Sequence, residues 1–237
     1  MLYAGHFRID NYKNINSLPD IVTKKTEKKD GVVFVVSDLF LHTEINTFFS
    51  DALFDKTRSF FRKIQKQKEV FNNVEAIILN GNIINNCFNV NQSTNIISPH
   101  SIGYNFFNAL SFVASNIPVY YVRGDVDCFV NIQTIPIEFR GFIKFCNALF
   151  IDNILFMHGH NGLPFMNDLK NNIISEKTEL LNQEEEAKRI TEQLNCKLVL
   201  SNSKFRTYKK ENIITIGSFE KNGTSIININ DFSVTNE

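Results

Sequence analysis

Val32-Val33-Phe34-Val35-Val36-Ser37-Asp38-Leu39-Phe40 is the stretch on which the fold turns. Its opening run of β-branched and aromatic residues reads as a strand covered on both faces, because a strand with one wet face alternates apolar and polar residues. The run then stops at a hydroxyl and a carboxylate. Three later segments repeat the pattern. Ala76-Ile77-Ile78-Leu79 leads into Asn80-Gly81-Asn82. Pro118-Val119-Tyr120-Tyr121-Val122 leads into Arg123-Gly124-Asp125-Val126-Asp127, and Ile154 to Met157 leads into His158-Gly159-His160. Strand ends of an α/β sheet converge at one rim, which is where such folds build sites.

Helical spacing fills the gaps between these strands. Leu53, Thr57, Phe60, Phe61 and Ile64 recur on one face and predict an amphipathic helix over roughly 47–68. Ile102, Phe106, Ala109, Leu110 and Val113 predict a second. Strand, helix, strand, helix, strand is the order of a parallel sheet with helices outside it. Residues 85–100 are rich in Asn and Ser and read as a loop. The second half is richer in strands. Residues 142–150 and 154–157 read as a hairpin about Asp152-Asn153. A charged helix over 176–194 carries Ala187, Ile190 and Leu194 on one face, and strands follow at 197–200, 212–216 and 224–229. The expected architecture is α/β, two mixed sheets packed face to face and flanked by helices. Residues 1–30 read as an N-terminal extension or edge element, and 31–237 as a single domain.

The chain has 237 residues, 25 basic and 25 acidic, so no net field recommends a nucleic-acid partner. Lys24-Lys25, Lys28-Lys29 and Lys209-Lys210 are short basic clusters suited to solvated surface. Cys87, Cys128, Cys146 and Cys196 form no CxxC pair, which argues against a zinc-finger or thioredoxin-type site. Such scattered thiols suit a reducing compartment. No stretch approaches the roughly 20 apolar residues of a membrane span, and no secretory leader is visible. The expectation is a soluble cytoplasmic protein without direct membrane insertion.

The four strand-end segments resemble, in order and spacing over about residues 32–218, the motif series of the calcineurin-like metallophosphoesterases. That series is Asp-x-His, Gly-Asp, Gly-Asn-His-Asp, a His beside Gly, then Gly-His-x-His. The resemblance implies a four-layer α/β/β/α sandwich and a dinuclear metal site. Asp38 matches the first Asp, but Phe40 stands at the first His, and a phenyl ring cannot ligate. Asn82 replaces the bridging Asp. Asp125 holds the family's Asn position and Val126 that of its catalytic His. His158 matches the fourth segment, while Ser201-Asn202-Ser203 stands where the closing imidazoles belong. His42, two positions past Phe40, is a further candidate donor.

Asp38, Asn82, Asp125 and His158 therefore remain: two carboxylates, an amide and an imidazole. Such a set suits no cofactor, or one weakly held Mn²⁺, Mg²⁺ or Ca²⁺. Asp38 and Asp125 can equally cap loop amides without a metal.

Within the family the chain is most similar to the small phosphoesterase-fold subunits of retromer. The similarity rests on Gly81-Asn82, on Val122-Arg123-Gly124-Asp125-Val126-Asp127, and on His158-Gly159-His160 followed by Pro164-Phe165. The likeness implies a non-catalytic scaffold, peripheral on endosomal membranes through its partners. Leu163, Pro164 and Phe165 would then dock an α-helical solenoid partner at the rim of a vestigial metal pocket. A divergent phosphodiesterase with a single metal is the alternative.

Overall fold

In the computed structural model, residues 21–28, 30–42, 51–70, 73–85, 97, 99, 101–114, 116–124, 127, 130, 132–158, 176–201 and 206–236 are described. The strands in chain order are β1 Ile21–Lys24, β2 Val32–Val36, β3 Leu41–His42, β4 Val74–Asn80, β5 Ile84–Asn85, β6 Val119–Val122 and β7 Ile143–Cys146. They continue with β8 Ala148–Ile151, β9 Ile154–His158, β10 Lys197–Ser201, β11 Tyr208–Lys210, β12 Ile213–Ile216, β13 Ser225–Asn228 and β14 Val234–Asn236. The α-helices are α1 Asp51–Val70, α2 Ile102–Val113, α3 Glu176–Leu194 and the short α4 Phe219–Asn222.

Two mixed sheets of six strands result, in the orders β1-β8-β9-β10-β12-β11 and β14-β13-β2-β4-β6-β7, with β3 and β5 as a small separate pair. In the second sheet β2, β4, β6 and β7 run parallel, and β13 is antiparallel to β2. The first sheet is parallel through β9, β10 and β12. These parallel strands bring their carboxyl ends to a common rim.

The uninterrupted apolar strands follow from three apolar layers. Phe34, Val36, Ile77, Leu79, Val119 and Tyr121 face the helices and join Phe60, Ile64, Phe106, Phe107, Leu110 and Phe219 of α1, α2 and α4. Their neighbours Val33, Val35, Ala76, Ile78, Tyr120 and Val122 point the other way. They meet Leu149, Phe156, Val199 and Ile214 of the first sheet. On the far side Leu155, Met157, Leu198 and Leu200 pack under Ala187 and Ile190 of α3. Helix, sheet, sheet, helix is thus the observed order of layers. Full burial of a side chain such as Phe34 or Ile77 contributes about 1.5–3 kcal/mol, so the run at 32–36 is an anchor of the domain.

Glu75 of β4 ties β1 and its following turn to the body. It is 2% exposed and accepts from Lys24 Nζ at 3.1 Å, from the Glu27 amide at 2.9 Å and from the Lys28 amide. A carboxylate this buried persists where donors surround it.

Three differences from the sequence reading have physical causes. The expected strand over 142–150 is two strands: β7 pairs with β6 in the second sheet, while β8 pairs with β9 and β1 in the first. The chain changes sheets at Asn147, and an apolar run does not reveal where its partner changes. The hairpin itself is β8–β9, closing at Ile151 opposite Ile154. Residue 85, read as loop, pairs with His42 in the β3–β5 ladder. The first helix runs to Val70, two residues past the expected end, since no Gly or Pro stops it.

Candidate site at the strand-end rim

β2, β4 and β9 place Asp38, Asn82 and His158 together. Asp38 follows the end of β2, Asn82 follows β4 in the same sheet, and His158 is the last residue of β9 across the interlayer. Asn82 Nδ2 donates to Asp38 Oδ1 at 3.0 Å and lies 3.2 Å from His158 Nε2. His158 Nε2 is 3.3 Å from the same Asp38 oxygen. Ser37 Oγ donates to the other carboxylate oxygen at 2.5 Å. The three side chains are 2%, 3% and 0% exposed, respectively.

Backbone geometry explains how these loops come so close. Asp38, Phe40 and Asn82 are left-handed, with φ of 53°, 50° and 53°. Asp and Asn adopt that conformation readily, whereas for Phe40 it costs about 1–2 kcal/mol. It persists because the loops are zipped together: Asp38 N donates to Gly81 O at 3.0 Å, Phe40 N to Asn82 O at 3.0 Å, and Leu41 N to Ile83 O at 2.8 Å. Gly81, at φ 86°, lies against the His158 ring, so a Cβ there would fall 2.8 Å from His158 Cβ. A Cβ on Gly124 would fall 2.6 Å from the Asn82 backbone nitrogen.

Two supporting groups stand out that motif reasoning gave no role. Asp127 is fully buried. Its Oδ2 accepts from Ile83 N at 2.8 Å and Tyr121 OH at 2.6 Å, and its Oδ1 from Gly124 N at 2.6 Å. It therefore fastens the loop after β6 to the loop after β4 that carries Asn82. Burial pushes the Asp127 carboxyl above its ordinary value, against the pull of those donors, and burial pushes the Tyr121 hydroxyl well up. Asn80, in the interlayer, donates to Ser201 Oγ at 2.6 Å and Met157 O at 3.2 Å, joining the ends of β4, β9 and β10. The signal for Asp127 was present in its spacing after Gly124. Nothing in the sequence announced Asn80.

Asp125, Val126, Leu163, Pro164 and Phe165 lie outside the described residues, as do Asn202 and Ser203. His42 lies in β3, where its backbone pairs with Asn85.

Two divalent ions held a few ångströms apart call for several anionic donors to offset their charge. The triad offers one carboxylate, one amide and one imidazole. Among the described residues no three of His, Cys, Asp and Glu gather to hold a metal. The described donor set does not fit a dinuclear centre. One ion is a different matter. Donors on adjacent vertices of an octahedral ion at about 2.1 Å lie about 3.0 Å apart. The triad's spacings of 3.0, 3.2 and 3.3 Å are close to that edge. Half a turn of the Asn82 amide would present its oxygen to the same point.

The fold is a metallophosphoesterase-like α/β/β/α sandwich. No protein-family model and no curated protein matches the chain. Among solved structures it is similar to the protein TT1561 of Thermus thermophilus. The identity is 10%, covering 88% of this chain and 99% of that one, with a TM-score of 0.50. This likeness shows the fold alone. A conserved uncharacterised protein of Streptococcus pneumoniae, described as a predicted phosphoesterase, shares 16% identity over 87% of this chain and 88% of its own, at TM-score 0.35. The Thermotoga maritima protein TM1076 shares 11% over 87% and 97%, at 0.37.

Proposed function

We propose that this chain is a non-catalytic scaffold on a metallophosphoesterase-like frame. It serves as a subunit of a retromer-like endosomal sorting assembly. The rim docks an α-helical solenoid partner through Leu163, Pro164 and Phe165. The observation that carries the non-catalytic part is the closed triad. Asp38, Asn82 and His158 direct their polar atoms at one another and are almost fully covered. A catalytic metal centre keeps a position open for water or substrate. The docking part rests on the resemblance of the His158 loop, where apolar groups on a rigid rim would supply anchor residues.

The test is reconstitution with a purified α-solenoid subunit of retromer. Substituting Leu163→Asp abolishes the complex while leaving the thermal midpoint in place. An unchanged complex refutes the docking assignment.

A second reading is a divergent phosphodiesterase with one weakly held metal at Asp38, Asp125 and His158, and the spacing of Asp38, Asn82 and His158 described above favours it. It requires Mn²⁺-dependent hydrolysis of a nitrophenyl phosphodiester that disappears on His158→Ala. Absence of that hydrolysis in the unmodified chain ends it.

A further inference from the structure

On the outer face of the first sheet, away from the interlayer, α3 does not seat evenly. Ala187 of α3 packs over Leu200, but beyond it a cavity of about 330 Å³ opens toward edge strand β11. Many waters would fit in that volume, and it reaches the lower end of small-molecule sites, about 300 Å³. Its floor is apolar, formed by Ala187, Leu200 and Ile213. Thr215, 1% exposed, and Tyr208 supply hydroxyls on one wall. Thr215 and Glu184 lie near the Tyr208 hydroxyl, and burial pushes that hydroxyl above its ordinary value.

Charge at the mouth is unbalanced. Glu184, Glu185 and Glu211 face Lys188 and Lys210. Among the described residues of the mouth, Lys188 is 3.9 Å from Glu192 along the helix, and Lys210 is the cation paired with Glu184. Lys210 Nζ sits 2.5 Å from Glu184 Oε2, on a side chain 59% exposed. The protein thus already displays what the groove accepts: an ammonium on an aliphatic stem, paired with a half-buried carboxylate. With its lysine largely in solvent, such a pair is weak and easily exchanged.

We infer that this groove is a binding site for an alkylammonium group, with Glu184 as its charge partner and Lys210 as an internal competitor. An incoming amine would lay its stem on Leu200 and Ile213. Its ammonium would replace that of Lys210, which is free to swing into solvent. The source is either a free aliphatic amine or the lysine of another protein.

Titration of the full chain with hexylamine, followed by NMR of the Tyr208 ring, tests this. Saturable binding is expected, with hexanoate binding far more weakly. Glu184→Gln should weaken it about tenfold, the difference between a charge-assisted and a neutral hydrogen bond. Lys210→Ala should tighten it about twofold to fivefold, the range of an exposed ion pair. Ala187→Leu, compatible with the helix, should fill the cavity and remove binding. An Nα-acetyl-lysine amide run alongside separates the sources, the tighter of the two ligands naming the one used. Non-saturating shifts, equal binding of hexanoate, or indifference to both Glu184→Gln and Lys210→Ala would overturn the assignment.

Discussion

Asp127→Asn loosens the rim without touching the triad. The wild-type carboxylate takes one donor on Oδ1 and two on Oδ2, at 2.6, 2.6 and 2.8 Å, with no exposure to water. An asparagine amide of the same shape has one oxygen. Turned to keep the Ile83 and Tyr121 donors, it sets its NH₂ against the Gly124 N–H. A buried donor left without an acceptor costs about 1–3 kcal/mol. The two remaining bonds lose charge assistance, about 1 kcal/mol each. Relief of the buried charge offsets part of this, leaving a net loss of about 3 kcal/mol. For a chain of this size the thermal midpoint should fall by about 10 °C. Urea unfolding of Asp127→Asn, Tyr121→Phe and the double variant reads the coupling, expected near 1 kcal/mol. A loss under about 0.5 kcal/mol for Asp127→Asn would refute the view that this carboxylate holds the two loops together.

Three shorter expectations concern other groups. Because burial raises the Asp127 carboxyl above its ordinary 3.8, the folded state holds that proton more tightly than the unfolded chain. Its contribution is therefore greatest in acid and declines as pH rises. The stability gap between wild type and Asp127→Asn should narrow from about pH 4 to pH 7, and a widening gap would contradict the sign. Gly81→Ala drives a Cβ into the His158 ring at a left-handed position, and unfolding experiments should show a loss of about 3 kcal/mol. Burial pushes the Cys196 thiol up to about 12, so iodoacetamide should leave it unmodified in the folded protein and label it after denaturation, as read by peptide mass.

The sequence revealed the frame where chemistry is monotonous. Val32 to Val36 and Ala76 to Leu79 had to be strands covered on both faces, and the helical spacing of Phe106 and Leu110 had to cover one of those faces. What stayed hidden depended on partners. The change of sheet at Asn147 is invisible because both halves of the run are equally apolar. β1, β11 and β14 are short edge strands with polar residues such as Lys24, Lys209 and Thr235, so no apolar run announces them. At the rim, Asp38, Asn82 and His158 were legible from strand-end position and do meet. The service of Asp127 and Asn80 was not, because a buried carboxylate or amide is understood only once its donors and acceptors are located. The groove beneath α3 was equally unreadable, since its lining gathers residues from α3, β10, β11 and β12 that are far apart in the chain.

The central claim is that Asp38, Asn82 and His158 satisfy one another instead of gathering a pair of cations. Calorimetric titration of the metal-stripped chain with Mn²⁺ addresses it directly. The account predicts no tight two-ion uptake, and at most a single weak event that His158→Ala removes. Two tightly held ions per chain, both lost on Asp38→Ala, would contradict it.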